Sequence, residues 1–320
     1  MNLPTDNPLS NENITLAHRL MDYIEQSQGW FFTDDVNKAL NIINTKDKTN
    51  IRVQLYLYST KNILEKDPHR NGRWRKIESD LVEVDLLNAK PSEGIDIQYP
   101  LGLEKVFLTV PKSLVLLAGA TDAGKSCFGI NFLLLNQWKH ECHYFSSELT
   151  PGRLKRRLLK YPNFADISIG FKMYERYDNY ADVIKPDAIN VIDFLDTDNA
   201  APYLIGNEIK NMWMKLNTGI VLALIQKKSA QKDWGGKLHE IELGVGGETT
   251  IRRASIYLIM DGYPENRLKI IKSKERVHDH LNPKGLEWKY NIINGIEFVN
   301  IRPPVEIAGL KPVAQQEKFA

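Results

Sequence analysis

The chain has 320 residues, of which 42% are hydrophobic and 26% charged, and its formal net charge is +2 at pH 7. These values exclude a disordered or fibrous chain and indicate a globular protein of two or at most three domains. No apolar run reaches the roughly 20 residues of a membrane helix, and the first residues lack an apolar signal region. The two cysteines, Cys127 and Cys142, are too few for a disulfide framework. We therefore predict a cytoplasmic protein without a membrane partner.

The first part of the chain has the pattern of a small helical domain. Residues 1–13 are rich in Asn, Pro and Ser and predict a flexible arm. Apolar positions at helical spacing then predict three helices, the second with Val36, Leu40 and Ile43 on its inward face. Two short strands joined by Pro, Asn and Gly follow in NILEKDPHRNGRWRKI, which is typical of a β-hairpin. Three helices and a basic hairpin within residues 14–78 resemble a winged-helix domain.

Basic residues are concentrated in this region. Between Thr45 and Ile77 there are nine Lys and Arg residues against three acids, which indicates an anionic partner. In a winged-helix domain the third helix enters the major groove of duplex DNA and the hairpin contacts the backbone. The residues expected to do so are Lys48, Arg52, Arg73 and Arg75. Such domains also bind proteins, so a protein partner is the alternative, and Trp74 could instead pack in the domain's own core.

The rest of the chain has a different pattern. Residues 79–94 mix Pro, Gly and acids without a clean period and predict a linker. From Phe107 onward, near-continuous apolar segments alternate with helical segments, which indicates an α/β domain with a parallel or largely parallel sheet. KYNIINGIEFVNI, with Asn-Gly between two β-rich runs, closes this domain as a hairpin. We therefore place an α/β domain at residues 95–302 and a loosely held tail at residues 303–320.

The segment SLVLLAGATDAGKSCFGINFLLL interrupts a buried strand with two glycines and a lysine, then continues as a helix. GATDAGKS, from Gly119 to Ser126, matches the phosphate-binding loop (P-loop), whose backbone N–H groups surround the phosphates of a nucleotide. Gly119 and Gly124 allow the sharp turn, Lys125 would reach the β- and γ-phosphates, and Ser126 would hold Mg²⁺. The nucleotide-binding residues predicted in this way are Gly119, Ala120, Thr121, Asp122, Ala123, Gly124, Lys125, Ser126 and Cys127.

Two acids are placed to complete a hydrolytic site. The apolar strand AINVIDFL ends in Asp193, which is expected to support Mg²⁺ together with Ser126, although Asp196 could share that role. Glu148 follows the strand after the P-loop helix, where a carboxylate can orient and deprotonate the water that attacks the γ-phosphate. The sequence therefore predicts hydrolysis of a nucleotide as well as its binding.

The segment around Glu148 carries a more specific resemblance. FSSELTPGRLKRRL resembles the FSLEMS-plus-Arg segment of DnaB-type replicative helicases, which are RecA-like ATPases, and VIDFL resembles their VIDYL. LALIQKKSA resembles the strand that ends in a sensor glutamine, here Gln226. GVGGETTIRRASIYLIMD is similar to the Gly-Gly segment and following strand of RecA-like recombinases. IIKSKERV resembles the IIAKQRNG segment of the helicase motor, and NIINGIEFVNI resembles the terminal hairpin of that motor.

The resemblance covers about residues 95–302 and implies a RecA-like P-loop NTPase that uses ATP and Mg²⁺. It also implies that Lys274 and Arg276 act in trans, as a finger on the ATP of a neighbour, so that hydrolysis needs a homo-oligomer, either a ring such as a hexamer or a filament. The alternative for both side chains is a solvated strand edge. Two features depart from the helicases: a winged-helix candidate replaces their helical collar, and the loop at 227–248 differs in sequence.

This loop carries four lysines. Long loops inside a compact domain are usually functional or disordered. In RecA-like motors the equivalent loops face a central channel and contact single-stranded DNA, and cations suit its phosphates. The DNA-contacting residues implied here are Lys227, Lys228, Lys232 and Lys237. An ordinary mobile surface loop is the alternative.

Three functions remain open at this point. The first is an ATP-hydrolysing motor on DNA, an oligomeric single-strand translocase or helicase of replication or recombination. The second is a DNA-binding ATPase that does not unwind, such as a filament former, a loader or a replication-initiation factor, whose ATP state controls assembly. The third is an ATP-gated regulator that binds an operator through its winged helix. Glu148 and Arg276 count against the third, because a switch has less need of a hydrolytic carboxylate and a finger.

Overall fold

The computed structural model describes residues 15–307, apart from residues 28, 79–82, 84, 162–167, 196–203, 233–235 and 263. The predicted arm, Asp196 and residues 308–320 of the predicted tail lie outside this part of the chain. The chain divides into two units, Met1–Ala89 and Lys90–Ala320. Among the described residues, no helix combines the length and apolar character needed to cross a membrane.

The N-terminal unit contains the three predicted helices and the predicted hairpin. The helices are α1 (Leu16–Gln26), α2 (Thr33–Ala39) and α3 (Thr45–Thr60), and the strands are β1 (Trp30–Phe32), β2 (Leu64–Lys66) and β3 (Arg73–Lys76). The strands form an antiparallel sheet in the order β1–β3–β2. β1 was not predicted, because three residues are too few to show an alternating pattern.

The core of this unit lies between the helices and the sheet. It is formed by Leu20, Ile24, Phe31, Val36, Leu40, Ile51, Leu55, Leu64 and Trp74. The prediction that Ile43 points inward is wrong, since α2 ends at Ala39 and the Ile43 side chain is 87% exposed. Trp74 packs in the core, which was the alternative prediction for this residue. Its indole N–H donates to the Thr33 hydroxyl at 2.9 Å.

The second unit is built on a nine-stranded sheet. Its strands are β4 (Leu114–Gly119), β5 (Cys142–Ser146), β6 (Lys172–Glu175), β7 (Ile189–Asp193), β8 (Ile220–Gln226), β11 (Ile256–Asp261), β12 (Arg267–Ser273), β13 (Glu287–Ile293) and β14 (Glu297–Arg302). A separate two-stranded ribbon consists of β9 (Gln231–Lys232) and β10 (Leu238–His239), and the helices are α4 (Lys125–Asn136), α5 (Pro151–Leu158), α6 (Leu204–Lys215) and α7 (Glu248–Arg253).

The strand order of the large sheet is β14–β13–β12–β11–β4–β8–β7–β5–β6. The six strands from β11 to β6 are parallel, and β12, β13 and β14 continue the sheet in antiparallel pairs. β4 and β11 are buried along their whole length, which explains their continuous apolar sequences. The predicted fold class, an α/β P-loop fold with a central, mostly parallel sheet, is confirmed.

The parallel strands bring their carboxyl ends to one edge of the sheet. Gly119 at the end of β4 is opposite Gln226 at the end of β8, and Ser146 at the end of β5 is opposite Asp193 at the end of β7. Ligands of open α/β sheets bind outside this edge. The fold therefore gathers the P-loop and the polar side chains that follow β5, β7 and β8.

Candidate nucleotide site

The P-loop connects the buried strand β4 to helix α4, and two glycines are required for its shape. Gly124 has φ of +96°, and a Cβ atom there would lie 2.3 Å from Cδ1 of Ile292. A Cβ atom on Gly119 would lie 2.7 Å from Cγ of Lys125. The chain turns here from a strand into a helix whose N-terminal N–H groups face the pocket, as an anion site requires.

Gly124→Ala is expected to destabilise the fold by about 1–2 kcal/mol, since a side chain in the left-handed region carries that cost. It should also weaken nucleotide binding, because relief of the strain turns the loop N–H groups away from the phosphates. Thermal unfolding and nucleotide titration measure the two effects. Gly152→Ala in α5, where an added Cβ meets nothing within 4 Å, is the control and should lose neither stability nor affinity.

Lys125 lies folded over its own loop. Its Nζ donates to the carbonyl oxygens of Gly119 at 3.0 Å and Ala120 at 2.9 Å, and to Oε1 of Gln226 at 3.3 Å. Burial lowers the pKa of Lys125, and the negative charges of Asp193, Glu148 and Asp122 oppose that shift. The ammonium group is therefore held by neutral acceptors that phosphate oxygens can replace.

Ser126 and Asp193 meet at the floor of the site. The Ser126 hydroxyl donates to Oδ1 of Asp193 at 3.2 Å, and the Tyr144 hydroxyl donates to Oδ2 of the same carboxylate. Asp193 is 1% exposed, and this burial raises its pKa against the lowering effect of the two hydroxyl donors. A hydroxyl and a carboxylate are the hard oxygen donors that Mg²⁺ prefers, so these residues fit the predicted ion.

Tyr144→Phe is expected to shift the acid limb of ATP hydrolysis to higher pH. Asp193 must be ionised to support Mg²⁺, and its pKa is already raised by burial. Because the Tyr144 hydrogen bond stabilises the ionised carboxylate, its loss raises this pKa further. A pH–rate profile measures the shift. Tyr161→Phe removes another half-buried hydroxyl, which donates to Asn131 at 2.8 Å, and should leave the acid limb in place.

A cavity of about 690 Å³ lies over the P-loop. Thr121, Asp122, Gly124, Lys125, Ser126 and Cys127 of the predicted nucleotide-binding set line it, together with Glu148, Asp193 and Gln226. We call this cavity the nucleotide pocket. Residues separated by about a hundred positions in the chain are thus brought into one site of the size of a small-molecule pocket.

Several pocket residues were not predicted. They are Arg157, Lys160, Phe194, Asn266, Ile292, Asn294 and Gly295. Arg157 is one of four cations on α5, and no pattern in that segment selects the one that faces the pocket. It lines the pocket together with Asp193, and its positive charge opposes the rise in the pKa of that carboxyl. Ile292 and Asn294 belong to the β13–β14 hairpin, whose approach to the P-loop depends on tertiary packing.

Lys274 and Arg276 are exposed and are not among the residues that line the nucleotide pocket. They follow β12, whose last residue, Ser273, is opposite Ile256 at the start of β11. Ile256 is in turn opposite Val115 at the start of β4. Since the P-loop follows the other end of β4, the two cations lie at the opposite edge of the sheet.

The predicted DNA loop is partly ordered against the sheet. The Lys227 side chain is only 8% exposed, and its Nζ lies 2.5 Å from Oδ1 of Asp261. Lys227 is thus not placed to contact DNA, because its charge is already paired. Lys228 and Lys237 are exposed, and Lys237 has contacts of its own. The side chain of Lys232 lies outside the described part of the structure.

Two cations of the N-terminal hairpin, Arg73 and Arg75, are also paired. Arg73 lies 3.0 Å from Asp67 and 5.1 Å from the centre of the Trp30 ring, and Arg75 pairs with Glu65. These contacts neutralise the positive charges that were predicted to contact the DNA backbone. On α3, Arg52 is exposed and Lys48 is half-buried.

No protein-family model matches the chain, and no curated protein is similar to it in sequence. Many solved structures are similar to part of it, and two of them are described here. A RadB recombinase is 15% identical, with a TM-score of 0.41, over 58% of this chain and 89% of its own. A KaiC-like protein from Pyrococcus horikoshii OT3 is 18% identical, with a TM-score of 0.44, over 67% of this chain and all of its own.

Proposed function

We propose that this protein is a RecA-like ATPase that hydrolyses ATP at the nucleotide pocket and acts on DNA as an oligomeric motor. The observation that carries the proposal is the meeting of Lys125, Ser126, Glu148, Asp193 and Gln226 around one cavity over the P-loop. A site for binding alone requires the loop and its lysine. The added carboxylate at Glu148 is what hydrolysis requires.

Five of the residues that line the pocket have a role in this reaction. The loop N–H groups and Lys125 bind the phosphates, and Glu148 accepts a proton from the attacking water. Gln226 senses the γ-phosphate, in the role implied by its resemblance to the sensor glutamine of RecA-like motors. Ser126 and Asp193 would hold Mg²⁺, which when bound supplies positive charge against the phosphates.

The finger residues belong to the same proposal, but on a second copy of the chain. From Val115 to Gly119 the strand alone spans about 13 Å, so Arg276 cannot reach the nucleotide pocket of its own chain. A neighbour in a ring or filament can present Arg276, and Lys274 beside it, to that pocket. Hydrolysis then depends on assembly.

The DNA partners are assigned by charge and exposure. Lys228 and Lys237 are the loop cations that we propose for single-stranded DNA in a channel of the assembly. The N-terminal unit has the element order of a winged helix. The pairing of Arg73 and Arg75 with hairpin acids, together with the exposed side chains of Tyr56 and Leu57 on α3, favours a protein partner over duplex DNA.

A DNA-binding ATPase that does not unwind is the second candidate, and the same pocket supports it. The two differ in what single-stranded DNA does to the rate. We expect hydrolysis by the full-length chain to rise several-fold with a single-stranded oligonucleotide, and Lys228→Ala to reduce that rise while Lys215→Ala on α6 does not. A rate of ATP hydrolysis that does not change when single-stranded DNA is added would favour the second candidate. Absence of hydrolysis above that of Lys125→Ala would refute both.

A further inference from the structure

A second cavity, of about 450 Å³, lies between α6, α7 and the residue that follows β12. Three of the side chains that line it are cations, Arg252, Arg253 and Lys274. Among the described residues, none that lines it is acidic. Because α7 ends just before β11 and Lys274 just follows β12, this cavity lies at the sheet edge opposite the nucleotide pocket. We call it the cationic cavity, and its volume is sufficient for a small-molecule ligand.

Close packing of α6 against α7 forms the wall of this cavity. A Cβ atom on Gly206 of α6 would lie 3.1 Å from Cβ of Thr249 on α7, and both residues line the cavity. Trp213, also on α6, lines it with a ring that is 40% exposed. Nζ of Lys112 lies 4.5 Å from the centre of this ring. The Lys112 backbone has φ of +62°, a strained conformation of the kind that is concentrated at ligand sites.

The charges of the cationic cavity are largely uncompensated. Arg252 pairs with Glu248 at 3.2 Å, but both side chains are 74% exposed. The side chains of Arg253 and Lys274 have no carboxylate partner in the part of the chain that the structure describes. Burial lowers the pKa of the neighbouring Lys272, and the positive charge of Lys274 lowers it further. An anion in the cavity would relieve this repulsion between like charges.

The side chains around the cavity match a phosphate-bearing ligand. Arginine and lysine bind phosphate oxygens through charge-assisted hydrogen bonds. An aromatic ring such as that of Trp213 can stack on a base, whatever the base is. The described lining has no carboxylate that could activate water, in contrast to Glu148 in the nucleotide pocket. The site is therefore equipped to bind a nucleotide through its own residues, but not to activate the attacking water.

We propose that the cationic cavity binds the phosphate groups of a nucleotide, with Arg253 and Lys274 as the phosphate contacts and Trp213 as the aromatic contact. The nucleotide is either free in solution or held in the nucleotide pocket of a second copy of this chain. Only the second source rests on the proposed function. Neither Arg253 nor Trp213 belongs to any motif that the sequence carries.

The fluorescence of Trp213 measures the occupancy of this cavity without relying on hydrolysis. The reporter is full-length Lys125→Ala, which lacks the phosphate-binding lysine of its own nucleotide pocket. Its Trp213 signal is the difference from the same chain that also carries Trp213→Phe. The reporter is titrated with ATPγS and Mg²⁺, first alone and then with an excess of Trp213→Phe chains, whose nucleotide pocket is intact. A response of the reporter alone identifies free nucleotide as the ligand, and a response in the mixture only identifies the nucleotide of a second copy.

Arg253→Ala in the reporter should raise the ATPγS concentration at half-response about ten-fold or more, because a hydrogen bond between charged groups is lost. Arg153→Ala is the control, since Arg153 is exposed on α5 and lines neither cavity. No Trp213 response in either titration, or a response that Arg253→Ala leaves unchanged, would overturn the proposal. If the Trp213→Phe chains fail to bind ATPγS, the proposed function is wrong, and the titration of the reporter alone decides the cationic cavity.

Discussion

Arg276→Ala is expected to slow ATP hydrolysis by about 10³- to 10⁵-fold, the range measured for loss of an arginine finger, while ATP binding at the nucleotide pocket changes little. The reason is geometric. Arg276 lies beyond the end of β12, at the sheet edge opposite the P-loop, so it contributes nothing to the pocket of its own chain. We therefore propose that its guanidinium stabilises the charge that develops on a neighbour's γ-phosphate.

Single-turnover hydrolysis, nucleotide affinity and molar mass should be measured together. Arg70→Ala is the control, because Arg70 is exposed in the N-terminal unit and has no predicted role in hydrolysis. It should hydrolyse ATP at nearly the wild-type rate. An Arg276→Ala protein that hydrolyses normally, or one that loses ATP binding as a monomer, would show that the finger assignment is wrong.

Glu148→Gln is expected to lower the hydrolysis rate by about 10²- to 10⁴-fold, the usual contribution of a general base, with ATP affinity retained. Ser146 fixes the turn that presents Glu148, because its hydroxyl accepts the backbone N–H groups of Glu148 at 3.3 Å and Leu149 at 2.8 Å. The carboxylate then lines the nucleotide pocket from the end of β5. Glutamine keeps its size and cannot take the proton.

The control for Glu148 is Asp122→Asn. Asp122 also lines the pocket and lies on the P-loop with φ of +59°, a conformation that asparagine tolerates. Its substitution should change the rate far less than Glu148→Gln. Equal losses in the two variants would mean that the pocket needs negative charge in general, and that Glu148 is not the base.

Five strands in the middle of the large sheet could be predicted because they are buried on both faces and so leave long apolar runs in the sequence. β4 and β8 are of this kind. β6 was missed, since this edge strand reads KMYE and its side chains are largely exposed. A strand whose partner lies on one side only has no need of an apolar sequence, and its pairing with β5 is visible only in the fold.

The residues of the candidate site could likewise be predicted only where the sequence carries a local pattern. Gly119, Lys125 and Asp193 could be predicted because fixed spacings and strand ends determine them. Charge partners far along the chain could not be predicted. The sequence therefore indicated that Lys227 contacts DNA, whereas the structure pairs its side chain with Asp261, 34 residues away. The acids that pair with Arg73 and Arg75 are close in sequence, but the hairpin register that brings them together was not predicted. A count of basic residues does not show which of them are paired.

The central claim, that ATP is hydrolysed between two copies of this chain, is tested most directly by mixing two inactive variants. In an equal mixture of Glu148→Gln and Arg276→Ala, a site is complete only where an Arg276→Ala chain supplies the pocket and a Glu148→Gln chain supplies the finger. Random assembly should make about a quarter of the sites complete and restore about a quarter of the wild-type rate. A mixture no more active than its separate components, although the chains assemble together, would contradict a shared site.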